Sequence, residues 1–207
     1  MRFILFVEGD TEKFLPAFLK RWLDPRLSSP VGIKPVCFKG WQKLVKDTPD
    51  KAKDYLNGSQ EDEIIAVIAL LDLYGPTFYP KNRTKAQSRY DWAKKHLEAR
   101  VNHPKFFQFF AVHETEAWLL SAPDIFPNEV KSALPGKIQH PESVNFGEPP
   151  AKLLDRIYDQ KTGRHYKKVV HGKQLFSKLD PNVAYQKCPR LKELLEQMLK
   201  LAKEAGL

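Results

Sequence analysis

Cysteine is nearly absent: Cys37 and Cys188 are the only two in 207 residues. Two cysteines build neither a disulfide framework nor a Cys-rich zinc site, so both read as structural residues and the compartment as a reducing cytoplasm. Long apolar runs are also missing. The longest, Ile64 to Leu71, is far too short to span a bilayer. The opening MRFILFVEGD has no small-residue cleavage site and acids follow at once, so it reads as a first strand and not as a signal peptide. There is no GxxxxGK[ST], which excludes an intrinsic P-loop ATPase. His113, His165 and His171 have neither HExxH spacing nor a cysteine partner, which argues against zinc. Acid is the scarcer charge. Asp and Glu number 25 against 34 Lys and Arg, a net charge of +9. Such a surplus favours a polyanionic partner: nucleic acid first, nucleotide phosphates second, an anionic membrane a distant third.

What is present describes a folded α/β chain. Hydrophobic residues make up 42% and charged residues 29%, enough for one domain with a buried core. Arg2 to Val7, Val31 to Phe38, Ile64 to Leu71 and Phe106 to Val112 are apolar runs without alternation, the pattern of strands covered on both faces. Pro35 places the second of them at an edge. Between them lie helical patterns: one from near Glu12, capped by Asp10 or Thr11; one over Trp41 to Leu56, with Thr48-Pro49 as a kink; one over Arg89 to Arg100. Strand–helix alternation implies a mostly parallel four-stranded sheet flanked by helices. Residues 1–120 form this core. Residues 121–207 add a Pro-rich irregular connection, a helix near Ala151 to Tyr158, a basic stretch from Lys161 to Lys178 and an amphipathic C-terminal helix from Pro189 to Ala205, packed on the core as a single domain.

In an open parallel sheet, ligands gather outside the carboxyl ends of the strands. Three strand ends carry acids there: Glu8, with Glu12 just beyond; Asp72; and Glu114, with Glu116 two positions on. Carboxylates brought together repel one another, and a hard divalent cation removes that cost. An acidic metal centre in a basic chain suits phosphodiester chemistry, with lysines holding the polyanion. The run Lys161 to Lys178 contains Lys167, Lys168 and Lys178 and no acid, with Tyr158 and Tyr166 interleaved as for a nucleic-acid groove. The plain alternative for each acid is a helix cap or turn residue, and for the lysines a solvated face.

Val7-Glu8-Gly9-Asp10-Thr11-Glu12, followed downstream by Leu71-Asp72 after a long apolar strand, resembles the TOPRIM domain of topoisomerases, primases and overcoming-lysogenization-defect (OLD) nucleases. That domain places a Glu after strand one and DxD after strand three to hold Mg²⁺. With Asp72-Leu73-Tyr74-Gly75, His113-Glu114-Thr115-Glu116-Ala117-Trp118, Pro141-Glu142-Ser143-Val144-Asn145, Pro150-Ala151-Lys152-Leu153 and Cys188-Pro189-Arg190-Leu191, most of the chain is similar to a compact bacterial TOPRIM-like family long labelled a domain of unknown function. Its members are often encoded beside an ABC/OLD-type ATPase, as in abortive-infection L-type phage defence.

The resemblance implies a Mg²⁺- or Mn²⁺-dependent nuclease effector acting on RNA or DNA and coupled to such an ATPase. Glu8 matches the catalytic Glu and Asp72 the first Asp of DxD. Glu12 and Glu116 are further metal ligands, with Glu114 the rival of Glu116. Lys152 falls in the family's Pro-x-Lys segment as a phosphate contact. The second Asp of DxD is Tyr74 here, so one anionic ligand is lost. Two other readings stand beside the nuclease: a non-catalytic binding subunit of the ATPase complex, and a phosphoryl-transfer enzyme acting on a nucleotide or polyphosphate.

Overall fold

The four apolar runs are strands β1 (Arg2–Val7), β2 (Gly32–Cys37), β3 (Ile64–Asp72) and β4 (Phe106–Ala111). The structure, a computed structural model, describes residues 1–9, 13–135, 138–143 and 148–207. The strands pair in the order β2-β1-β3-β4, all parallel, with Val7 opposite Leu70 and Asp72 opposite Ala111. β2 is an edge strand, which is why Pro35 is tolerated in it. The chain leaves β1 for β2 on one side and later enters β3 on the other. The crevice between the carboxyl ends of β1 and β3 is therefore the point where ligands of open parallel sheets bind.

Parallel pairing requires crossovers, and helices supply them: α1 (Leu15–Leu23), α2 (Trp41–Leu56) and α3 (Ala86–Val101). Strand residues alternate between two separate cores. Ile4, Phe6, Val67, Ala69 and Leu71 join the cluster beneath α2 and α3. Phe3, Leu5, Val7, Ile68 and Leu70 join a larger cluster on the opposite face, with α1 and the second half of the chain. That half holds α4 (Glu116–Leu119), α5 (Asn128–Lys131), α6 (Pro150–Thr162), α7 (Lys173–Lys178), α8 (Pro181–Lys187) and α9 (Pro189–Glu204). The α9 stripe of Leu191, Leu194, Leu195, Met198 and Ala202 is wholly buried in the larger cluster. No helix among the described residues is long and apolar enough to cross a membrane.

Several local expectations are revised. Asp10, Thr11 and Glu12 lie outside the described residues, and α1 is described from Leu15, with Pro16 in its first turn. Pro49 does not interrupt α2. Its missing N–H frees the carbonyl of Val45, which instead accepts a hydrogen bond from Arg100 Nη1 on α3 at 2.8 Å. α3 begins three residues before Arg89, and α6 runs on to Thr162. The Pro-rich connection carries two 3-10 turns, Pro123–Ile125 and Pro141–Ser143, and buries Ile125, Phe126, Val130, Leu134 and Ile138 in the larger core. The basic stretch contains a π-helix, Lys168–Gly172, running into α7.

Candidate functional site

The carboxyl edge is assembled by backbone pairing that continues past the strands. Gly40 N donates to Glu8 O at 2.8 Å, tying the exit of β1 to that of β2. Leu73 N donates to Ala111 O and Tyr74 N to His113 O, each at 2.9 Å, so the segment after Asp72 stays beside the one after β4. His113 then turns the chain with a left-handed φ of 39°. Its imidazole is buried, and burial holds its pKa below the ordinary value. The turn brings Thr115 N onto Asp72 Oδ1 at 3.1 Å. Glu114 Oε2 accepts from Ala151 N at 2.8 Å, capping the first turn of α6, where Pro150 has no N–H to offer. Glu116 is buried, 3% exposed, in the first turn of α4.

These acids meet at one cation, the ammonium of Lys168. Its Nζ stands 3.1 Å from Glu116 Oε2, 3.7 Å from Glu114 Oε1 and 3.9 Å from Asp72 Oδ2. Lys168 opens the π-helix, and its approach is fixed from both sides. Asp155 on α6 accepts Tyr166 N at 2.9 Å, and His171 Nδ1 accepts Lys167 N at 2.8 Å. The ring of Tyr166 is buried against Tyr158 and His171. The same helix leaves Val169 and Val170 exposed.

Burial alone would make Lys168 easier to deprotonate. Glu116, Asp72 and Glu114 outweigh it, so the ammonium is held above its ordinary pKa. Burial pushes Glu116 the other way, raising its pKa against the pull of Lys168. Both directions follow from one arrangement: three carboxylates share a single ammonium, and Glu116 is the most buried of the three. The cluster keeps an excess of negative charge. Glu8 belongs to the same edge, one strand over from Asp72. The Tyr79 phenol donates to Leu73 O at 3.0 Å and lies within electrostatic reach of both acids. Its pKa is raised, mainly by burial, with Asp72 and Glu8 adding to the rise and Arg89 opposing it.

The donor set fits a hard divalent cation in kind, because every ligand atom is a carboxylate oxygen. It does not yet fit in spacing. The oxygens surround Nζ at 3.1 to 3.9 Å, whereas Mg²⁺ requires about 2.0–2.1 Å. Among the described residues no three His, Cys, Asp or Glu side chains form a ready-made metal centre.

The placement of each expected site residue is then plain. Asp72 and Glu116 come together, and Glu114 joins them instead of replacing Glu116. Glu8 stands at the same edge, and Glu12 lies outside the described residues. Lys168, expected to hold substrate, is turned into the acid cluster. Lys152, Lys167 and Lys178 are exposed, on the first turn of α6, before the π-helix and at the end of α7. Nothing local marks Lys168 among its neighbouring lysines; its role comes from contacts with residues more than fifty positions earlier.

No curated protein matches the chain. Among solved structures, the C-terminal region of the Burkholderia pseudomallei OLD protein is similar at 18% identity over 98% of both chains, with a TM-score of 0.48. That likeness is too slight to assign chemistry. The family model described as Domain of unknown function (DUF4276) matches residues 7–199. The match takes in β2, β3 and β4, begins at the last residue of β1 and includes the whole acid cluster, and the chain belongs to the DUF4276 family.

Proposed function

We propose that the chain is a divalent-metal-dependent nuclease whose active centre is the carboxyl edge of the sheet. The observation that carries this reading is the convergence of Asp72, Glu114 and Glu116, from two strand ends, on one cation position, with Glu8 just past the end of the adjoining strand. Asp72, Glu114 and Glu116 would hold Mg²⁺ or Mn²⁺, with Glu8 reaching from the other side of the crevice. Such an ion supplies an activated water and neutralises charge on a phosphate. The chain's own residues do the rest. Lys168 is held protonated beside the carboxylates and is placed to meet a phosphate oxygen. The buried walls around Glu116 keep bulk water from screening these charges. Coupling to an ABC-type ATPase and a role in phage defence belong to the same proposal and rest on the resemblance of VEGDTE and its companion motifs.

A second reading is favoured by the ion pair itself. Lys168 already neutralises part of the cluster, and Tyr74 stands where a second Asp would add a ligand. A binding subunit without catalysis would look like this. The two separate in one experiment: incubation of labelled RNA and DNA, single- and double-stranded, with Mg²⁺ or Mn²⁺. The nuclease reading expects cleavage that Glu8→Ala and Asp72→Ala each reduce by at least about 10²-fold, the scale of removing a group that acts on transition-state charge. Cleavage unchanged in both variants would remove the active centre from this edge. Absence of cleavage by the wild type would favour the binding subunit.

A further inference from the structure

Where β3 leaves the sheet, a row of aromatic rings begins. Tyr79 is pinned to Leu73 O, next to Asp72. Phe78 stacks on Tyr79 with centroids 4.7 Å apart and a 28° interplanar angle. Trp41 of α2 and Trp92 of α3 flank Phe78 at 6.1 and 6.0 Å. His96, exposed one turn further along α3, lies on Trp92 at 4.6 Å and 11°. The inner sides of Trp41, Phe78, Tyr79 and Trp92 pack on the smaller core, which explains why they are apolar. It does not explain why an exposed histidine extends the stack.

Core packing also does not explain the charge. From Pro80 to Arg89 the chain carries Lys81, Arg83, Lys85 and Arg89 and no acid. Arg89 lies over the Tyr79 ring at 5.1 Å. Lys81, Arg83 and Lys85 are exposed and make no ion pair among the described residues. Like charges gathered on one short loop repel each other, and a polyanion relieves that repulsion while releasing its own counterions. Aromatic faces interleaved with unpaired cations are what a single strand needs. Any base can stack on a ring, and the phosphates follow the lysines and arginines. A duplex cannot use the rings, because its bases already stack on one another.

We infer that the surface from Tyr79 to His96 is a platform for single-stranded nucleic acid that leads the strand to the acid edge. The inference rests on the proposed nuclease reading and gives it a substrate class. It also moves the principal contact surface away from Lys152, Lys167 and Lys178.

Binding is measured by fluorescence anisotropy in EDTA, with labelled 12-nucleotide oligo(dT), oligo(rU) and a 12-base-pair duplex. The wild type should bind one or both single strands at least about tenfold more tightly than the duplex. The triple reversal Lys81→Glu, Arg83→Glu, Lys85→Glu should weaken single-strand binding at least about tenfold and flatten its salt dependence. His96→Ala should weaken it about fivefold, the lower end expected for one lost stacking contact. All these side chains are exposed, and circular dichroism checks that the variants fold. Asp72→Ala keeps the binding even where it abolishes cleavage, so loss of the active-centre reading and loss of the platform give different results. Equal affinity for duplex and single strand, or unchanged single-strand affinity in both the triple reversal and His96→Ala, would overturn the platform.

Discussion

Lys168 shows how one side chain can set the state of a site. Its ammonium offsets part of the repulsion among Asp72, Glu114 and Glu116, and Glu116 is nearly fully buried. Lys168→Met keeps most of the stem and removes the charge. Removing one partner of a buried ion pair costs about 3–5 kcal/mol. Lys168 is part-exposed, so a loss of about 2 kcal/mol at neutral pH is expected after allowing for solvent screening. Urea unfolding of wild type and Lys168→Met should show that difference shrink as pH falls and Glu116, whose pKa burial raises, takes up its proton. On the nuclease reading, millimolar Mn²⁺ should restore more of the variant's stability than of the wild type's, because the ion takes over the ammonium's role. Equal responses to Mn²⁺ would separate the acid cluster from metal binding. Asp72 and Glu116 could be picked out of the sequence because they follow recognisable apolar strands. Lys168 could not, because a lysine among lysines carries no periodic signal.

At the scale of elements, helix bodies follow from apolar spacing, but their ends are set by distant partners. α9 begins Pro189-Arg190-Leu191, and the N–H groups of Arg190 and Leu191 both donate to the Glu142 carboxylate, at 2.8 and 3.2 Å. Burial raises the pKa of Glu142 in spite of these two bonds. The folded protein therefore holds that proton more tightly than the unfolded chain does. The associated stability is fully present below the unfolded carboxyl pKa and is lost as pH rises through the folded value. Glu142→Gln cannot ionise and escapes this loss. Its unfolding midpoint should gain on the wild type's as pH goes from 4 to 7, whereas parallel midpoints across that range would show that Glu142 is not buried as a cap. The partner of the Val45 carbonyl, one turn before Pro49, teaches the same lesson. A proline that locally predicts a break is absorbed into a continuous α2, and Arg100, from another helix, satisfies Val45 O.

For the whole molecule, the two cores have different origins. The buried residues of the cluster beneath α2 and α3 run from Ile4 to Phe110, all before the Pro-rich connection. The larger cluster joins β1, β3 and α1 to Leu153, Leu154, Leu191, Leu195 and Met198 from far downstream. One face of the sheet is thus covered largely by the second half of the chain. A fragment of residues 1–121 should not fold alone. It is expected to lack near-UV circular dichroism and to aggregate, whereas the full chain unfolds in one transition seen alike by tryptophan fluorescence and far-UV signal. A soluble fragment with native-like spectra would show that the first half is self-sufficient.

The sequence by itself determined the four strands, their parallel pairing and the edge to which Asp72, Glu114 and Glu116 are delivered. These follow from unalternating apolar runs, crossover helices and acids placed where strands end, all local patterns read over a few residues. Only the tertiary structure decided that Glu114 and Glu116 stand together, that Lys168 is their counter-ion, that Glu142 caps α9 and that the rings of Trp41, Phe78 and Trp92 lie side by side. Each of these depends on a contact between segments tens of residues apart. Charge and ring stacking act through space at a few ångströms, and chain order does not record which groups will be brought that close.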